Sequence, residues 1–194
     1  MAGFADPRFH FSLNLYGAPA LSLPEFANYK QDIIIGASLR VAAPLGQYDS
    51  SKLVNIGTNR WSIKPELGIS KALGPLTLDL AAGVTFYTDN DDFFGGHTRE
   101  QASVYSVQGH LIYNFGRGVW GALDGTYYTG GRTTLDGREG NDLLESSRLG
   151  LTLSLLVSIH NSVKLYASTG VSTRTGSDFD AVGIAWQYRW GGGL

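Results

Sequence analysis

Apolar and polar residues alternate along most of this chain, and most plainly between Asn59 and Thr88. Trp61, Ile63, Pro65, Leu67 and Ile69 are apolar, while Ser62, Lys64, Glu66, Gly68 and Ser70 between them are polar or small. After Ala72 to Pro75 the pattern resumes. Leu76, Leu78, Leu80, Ala82, Val84 and Phe86 take one face, and Thr77, Asp79, Ala81, Gly83, Thr85 and Tyr87 take the other. A period of two predicts two long antiparallel strands joined by a tight turn. Neither apolar face carries a charge. Each strand reaches about ten residues, the length at which a tilted strand crosses a bilayer.

The same reading gives nine strands in all. Arg8 to Tyr16 sets Phe9, Phe11, Leu13 and Leu15 against His10, Ser12, Asn14 and Tyr16. Gln31 to Ala43 sets Ile33, Ile35, Ala37, Leu39 and Val41 against Gly36, Ser38 and Arg40. Further strands follow at Ser103 to Phe115, Val119 to Thr129, Ser147 to Val157, Val163 to Arg174 and Ala181 to Trp190, before a tail from Gly191 to Leu194. One helical turn is expected in SLPEFANY, opened by Ser22 and Pro24. Short turns fall at Ala72 to Pro75, Gly116 to Gly118 and Ser158 to Ser162. Longer polar loops begin near Pro44, Asp89, Gly130 and Thr175. Short turns on one side and long loops on the other are the habit of bacterial outer-membrane barrels.

A soluble sandwich alternates too, but its polar face meets water and is rich in Lys and Glu. Here the polar face is Ser, Thr, Gly, Ala, Asn and Gln with scattered charges, which suits the inside of a barrel. Aromatic residues gather at the strand ends as expected of interfacial girdles. Trp61, Phe86, Tyr127 and Tyr128 stand on the loop side; Tyr16, Tyr113, Phe115, Trp120 and Trp190 stand on the turn side. The fold class that follows is all-β, an antiparallel up-and-down transmembrane β-barrel.

Composition narrows the alternatives. The 194 residues suit one domain, and the absence of cysteine excludes disulfides and thiolate metal sites. A net charge of -2 leaves no basic footprint for nucleic acid. Charged residues make up 16%, below the roughly 25% of soluble domains. No apolar run reaches the roughly 18 residues of a transmembrane helix, which leaves barrel strands untouched.

The opening MAGFADPRF shows no basic region, apolar stretch or cleavage site of a signal peptide. With the last strand ending in the periplasm, nine strands put the first strand's start outside. Single-chain bacterial barrels have an even strand number with both ends inside. The expectation is therefore a single barrel domain, residues 1–194, lacking its first strands. The first and last strands are expected not to pair with each other.

The stretch NIGTNRWSIKPELGISKALGPLTLDLAAGVTFYTDNDDFFGG resembles the transporter-like outer-membrane proteins called the "MetA-pathway of phenol degradation" family. LYGAPALSL from Leu15, YSVQGHLIYNF from Tyr105 and LDGTYYTGGRTTLDG from Leu123 resemble it as well. The resemblance implies a barrel of about twelve strands, lodged in the cell outer membrane and passing small hydrophobic or aromatic compounds. It supplies no binding motif to carry over. Outer-membrane lipid is the expected partner, a small aromatic solute the implied cargo, and the oligomeric state stays open.

The candidate chemistry is electrostatic. His10, His97, His110 and His160 lack metal-ligand spacing, and no Ser and His meet an acid at a strand end. No enzyme, metal or cofactor is expected. Counting from the turns places His110 opposite Asp124, Asp79 opposite Gly68 and diagonal to Glu66, and Asp79 near His110. Glu66, Asp79, His110 and Asp124 then form an acidic belt with Arg40 and Lys64 beside it. Two readings stay open: charges that neutralise one another and close a narrow lumen, or a constriction that selects solutes. Arg148, Lys164, Arg174 and Arg189 line the last three strands as a basic wall, with Arg148 and Arg174 expected as cross-strand neighbours. The segment from Asp92 to Gly96 either folds over the mouth or plugs the loop layer. A channel for small solutes is the first function expected, and a narrow structural barrel displaying its loops is the alternative.

Overall fold

The structure, a computed structural model, describes residues 3–176 and 178–190. Ser177 and the expected tail at Gly191 to Leu194 lie outside the described residues. Nine long strands form one antiparallel sheet in chain order: β1 (Arg8–Tyr16), β2 (Ile33–Ala42), β3 (Ser62–Leu73), β4 (Leu76–Tyr87), β7 (Val104–Gly116), β8 (Val119–Gly130), β11 (Leu144–Leu156), β12 (Asn161–Thr173) and β13 (Ala181–Tyr188). Among the described residues, β1 pairs only with β2 and β13 only with β12. One short helix, α1 (Leu23–Asn28), starts after Ser22, whose backbone N–H and hydroxyl both donate to the Glu25 carboxylate.

The loops hold more order than their sequence predicts. Residues expected as loop form β5 (Asn90–Phe93), β6 (His97–Gln101), β9 (Thr133–Leu135) and β10 (Arg138–Glu139). These make a second, four-stranded sheet in the order β10-β9-β6-β5, with Arg99 opposite Leu135 joining the two excursions. Strands of two to five residues carry too little alternation to be read, and the pairing that stabilises them spans 36 residues of chain, from Arg99 to Leu135. The Phe93-Phe94-Gly95 tip is part of this cap. It rests on the 44–60 loop, the Gly95 N–H donating to the Ser50 carbonyl at 3.1 Å and the Tyr48 hydroxyl to the Asp92 carbonyl at 3.0 Å.

Turn chemistry fixes the main sheet's register. The β7–β8 turn has φ of 53° at Arg117 and 74° at Gly118. Two successive positive φ values give the twist that joins neighbouring strands of a hairpin without splaying them. The β3–β4 turn leaves Leu73 opposite Leu76, with Gly74 at φ 65°. This two-residue turn is tighter than the four-residue break expected, and it moves every β3 partner of β4 by two positions.

The sheet is a single layer. Among the described residues, the buried hydrophobic side chains are only Ala43, Val104 and Ala122. On the apolar face Leu67 and Leu151 are each 62% exposed and Ile184 is 74% exposed. An apolar surface that runs across nine strands is untenable in water and suits lipid tails, while the ladders pair the backbone groups that lipid could not satisfy. Leu80 and Leu153 lie on that face too, as the alternation predicts. Tyr16 does not follow the prediction. A bulge between Asn14 and Tyr16 pairs it with Ile35 and turns it to the apolar side.

Candidate functional site

Backbone pairing builds the polar face into rows. One row runs Ser70–Asp79–His110–Asp124–Gly150 across β3, β4, β7, β8 and β11. Period-two alternation aims all five positions at the same side. His110 Nδ1 lies 2.5 Å from Asp124 Oδ1, and the Thr152 hydroxyl donates to Asp124 Oδ2 at 3.1 Å. Gly150 leaves room for this, since a Cβ there would stand 3.3 Å from the Asp124 Cβ. The other acid is less well served. Asp79 Oδ1 is out of solvent and has no hydrogen-bond partner. Its cross-strand neighbours are Ser70 and His110, so the expected juxtaposition with His110 forms but the one with Gly68 does not. The tight β3–β4 turn accounts for that difference.

Glu66 sits elsewhere. Its carboxylate accepts from Lys64 Nζ at 2.7 Å and lies 3.9 Å from Arg40 Nη2. Ser38 and Gly83 are its ladder partners, and the missing side chain of Gly83 makes space for the Lys64 chain, whose Cε would be 2.9 Å from a Cβ there. Four residues of β3 separate Glu66 from Ser70, about 13 Å at the usual rise. The expected single acidic belt is therefore two clusters. They still face one hollow of about 350 Å³, lined by Asn14, Glu66, Asp79, Gln108 and His110. A second hollow of about 630 Å³ continues from Asp79 and His110 to Lys164 and Tyr166 on β12.

The basic wall also divides. A register shift between Ser147 and Arg148 pairs Arg148 with Gly170, while Arg174 lies beyond the end of β12. Arg148 and Arg174 are thus not cross-strand neighbours, contrary to the expectation. Arg174 stands 3.9 Å from Glu145. The Arg148 guanidinium lies 4.0 Å from the Phe179 ring centre and donates to the Phe179 carbonyl at 2.8 Å and to Ser168 at 3.2 Å. Lys164 Nζ lies 5.2 Å from the centre of the Trp120 ring. Arg189 follows β13 and is exposed, tied through its backbone N–H to His160.

Two aromatics counted in the girdles belong to this polar face. Trp120 pairs with Asn114 and Ser154, and Tyr128 with Ser106 and Ser146. Both line the larger hollow. Their even spacing from Asp124 was the available signal: residues 120, 122, 124, 126 and 128 share a face. Trp61, Phe86, Tyr127, Tyr113 and Phe115 do stand exposed on the girdle side. Among the described residues, no group of three or more His, Asp or Glu is arranged to hold a metal.

The fold has a solved counterpart. The crystal structure of an outer membrane channel from Pseudomonas putida F1 superposes with a TM-score of 0.80 at 24% identity, covering 97% of this chain and 67% of that one. The nine-strand sheet is therefore a transmembrane β-barrel wall, with the polar rows on its inner side. No curated protein sequence matches the chain. A family model does, over residues 2–188, and by that match the chain belongs to the family described as "Putative MetA-pathway of phenol degradation".

Proposed function

We propose that this protein is a passive outer-membrane channel for small solutes, with the Asp79–His110–Asp124 row and the Glu66 cluster lining its path. One observation carries the reading. The inner face holds acidic, basic and histidine side chains around open hollows, while the outer face is bare leucine, isoleucine and aromatic rings. Charged side chains that face an open hollow stay in reach of water and can act on a passing solute, which an apolar filling could not. The likeness in fold to an outer membrane channel supports the same reading, as does membership of the family. Small hydrophobic or aromatic compounds are the proposed cargo, outer-membrane lipid the proposed surrounding. His110 and Asp124 orient each other across a ladder, a positioning role in a lumen, and we assign no reaction to them.

The alternative is a narrow structural barrel that displays its loops, and the four-stranded cap sheet is the feature that favours it. Conductance separates the two. Reconstituted in planar bilayers, the protein is expected to give discrete conductance steps and to let small solutes swell liposomes. Silent bilayers and unswollen liposomes, with the barrel shown folded by its heat-modifiable migration, would leave the structural reading standing.

A further inference from the structure

The larger hollow has a chemistry of its own. It lies over the inner face of β7, β8, β11 and β12, where Trp120, Tyr128 and Tyr166 present rings and Arg148 and Lys164 present cations. Among the described residues, neither cation has a carboxylate within 4.0 Å, whereas Arg40, Lys64 and Arg174 all do. Their partners are aromatic rings, a carbonyl and a hydroxyl. Lys164 lies 5.2 Å from the Trp120 ring centre, and Arg148 is fixed by the Phe179 ring, the Phe179 carbonyl and Ser168.

Of the nearby acids, Asp178 stands closest to Arg148, its carboxylate lying over Gly170, the Arg148 ladder partner, yet it forms no ion pair with Arg148 within 4.0 Å. Asp124 is engaged by His110 and Thr152. Asp79 stands on β4, three strand spacings from Arg148 on β11, about 14 Å along the wall. The two cations are themselves spread along the barrel axis. Lys164 lies six residues from Gly170, the partner of Arg148, which is about 20 Å at the usual rise. Tyr166, opposite Thr152, lies between them. Arg148 is nearer the long-loop side and Lys164 nearer the short-turn side.

We propose that this face is a binding path for small aromatic carboxylates. The ring stacks on Trp120 and Tyr166, and the carboxylate passes between the Arg148 guanidinium and the Lys164 ammonium. A carboxylate gains a charge-assisted partner from either cation while its ring covers the neighbouring aromatics. A neutral aromatic of the same size gains only the second part. This deepens the channel reading and rests on it for transport, although binding is measurable without conduction.

The test uses benzoate and benzyl alcohol as probes. Calorimetric titration of the folded protein in zwitterionic detergent is expected to show benzoate binding that Lys164→Gln weakens about tenfold, the loss of one charge-assisted contact. Benzyl alcohol binding should be weak and unchanged by that substitution. Arg148→Gln should weaken benzoate as well, and Trp120→Leu should weaken both probes. Reversal potentials in a salt gradient give the independent arm: the wild-type protein favours the anion and Lys164→Glu lowers that preference. Equal binding of the two probes, or benzoate affinity indifferent to Lys164→Gln, overturns the proposal. Absent conductance with intact benzoate binding counts against the channel and leaves the binding path in place.

Discussion

His110 and Asp124 face each other across the β7–β8 ladder with 2.5 Å between Nδ1 and Oδ1, and Thr152 from the next strand holds the second carboxylate oxygen. The contact links three neighbouring strands at one level of the wall. Both side chains keep about a third of their surface exposed, 35% and 29%. Their coupling should therefore be modest, about 1 kcal/mol, as for part-exposed pairs. A double-mutant cycle with His110→Gln and Asp124→Asn, read by urea unfolding in detergent, measures it. Additive single substitutions would mean the pair contributes nothing to stability.

Leu151 and Thr152 are consecutive and face opposite media. Leu151 is opposite Leu123 and Ala167 at the middle of β11, and it is 62% exposed on the apolar side. An Arg there should cost about 2–4 kcal/mol near the bilayer midplane. Thr152→Arg should cost far less, because its side chain enters the polar hollow. Folding yields into liposomes of both variants give the comparison. Equal losses would contradict the assigned faces.

What the sequence made legible was whatever alternation and turn residues encode locally. Leu149, Leu151 and Leu153 name a face without help, and Arg117-Gly118 names a hairpin. Features decided by one inserted residue or by distant pairing stayed hidden. A two-residue turn at Gly74 moved Asp79 from Gly68 to Ser70. A register shift at Arg148 separated it from Arg174, and a bulge turned Tyr16 outward. The cap sheet depends on β6 meeting β9, and neither carries a pattern of its own. The His110–Asp124 contact was legible because a short glycine-flanked turn fixes its register, while the split of Glu66 from Asp79 was not.

Acid should loosen the outer rim, where three carboxylates act as latches. Burial alone would raise the Asp6 carboxyl, but the Thr58 hydroxyl and amide, the Gly46 amide and Arg8 outweigh it and hold the group below its ordinary value. Asp142 behaves alike, burial being outweighed by the Thr133 hydroxyl and amide, its own backbone and Arg99. For Asp136 the Thr98 amide comes first and His97 second in lowering the value. A depressed folded value means stability that is present above the unfolded carboxyl value, about 3.9, and lost as pH falls through the folded one. The amide signals of Gly46, Thr58, Thr98 and Thr133 should then titrate with midpoints below about 3.9. Midpoints at or above that value would remove these carboxylates as latches.

Asn90 is the peg on which the cap hangs. It opens β5 and is 3% exposed, the most buried polar residue described. Its amide nitrogen donates to the Tyr48 hydroxyl at 2.9 Å and to the Thr58 carbonyl at 3.3 Å. Its amide oxygen accepts from Asn59 at 2.8 Å and from the Asp92 N–H at 3.2 Å. One side chain thus ties the β5–β6 hairpin to the 44–60 loop from both directions. Asn90→Ala removes all four contacts and leaves Tyr48 and Asn59 to find water in a closed place, a loss of about 1–3 kcal/mol local to the cap. Asn90→Asp keeps the acceptor and the volume but turns two donors into charge, which should be no better tolerated. Because the cap and the wall are separate sheets, the loss should appear as faster protease cleavage near Phe94-Gly95-Gly96 while the urea midpoint of the barrel stays in place. A barrel that unfolds with the cap in Asn90→Ala would show instead that the two sheets are one cooperative unit.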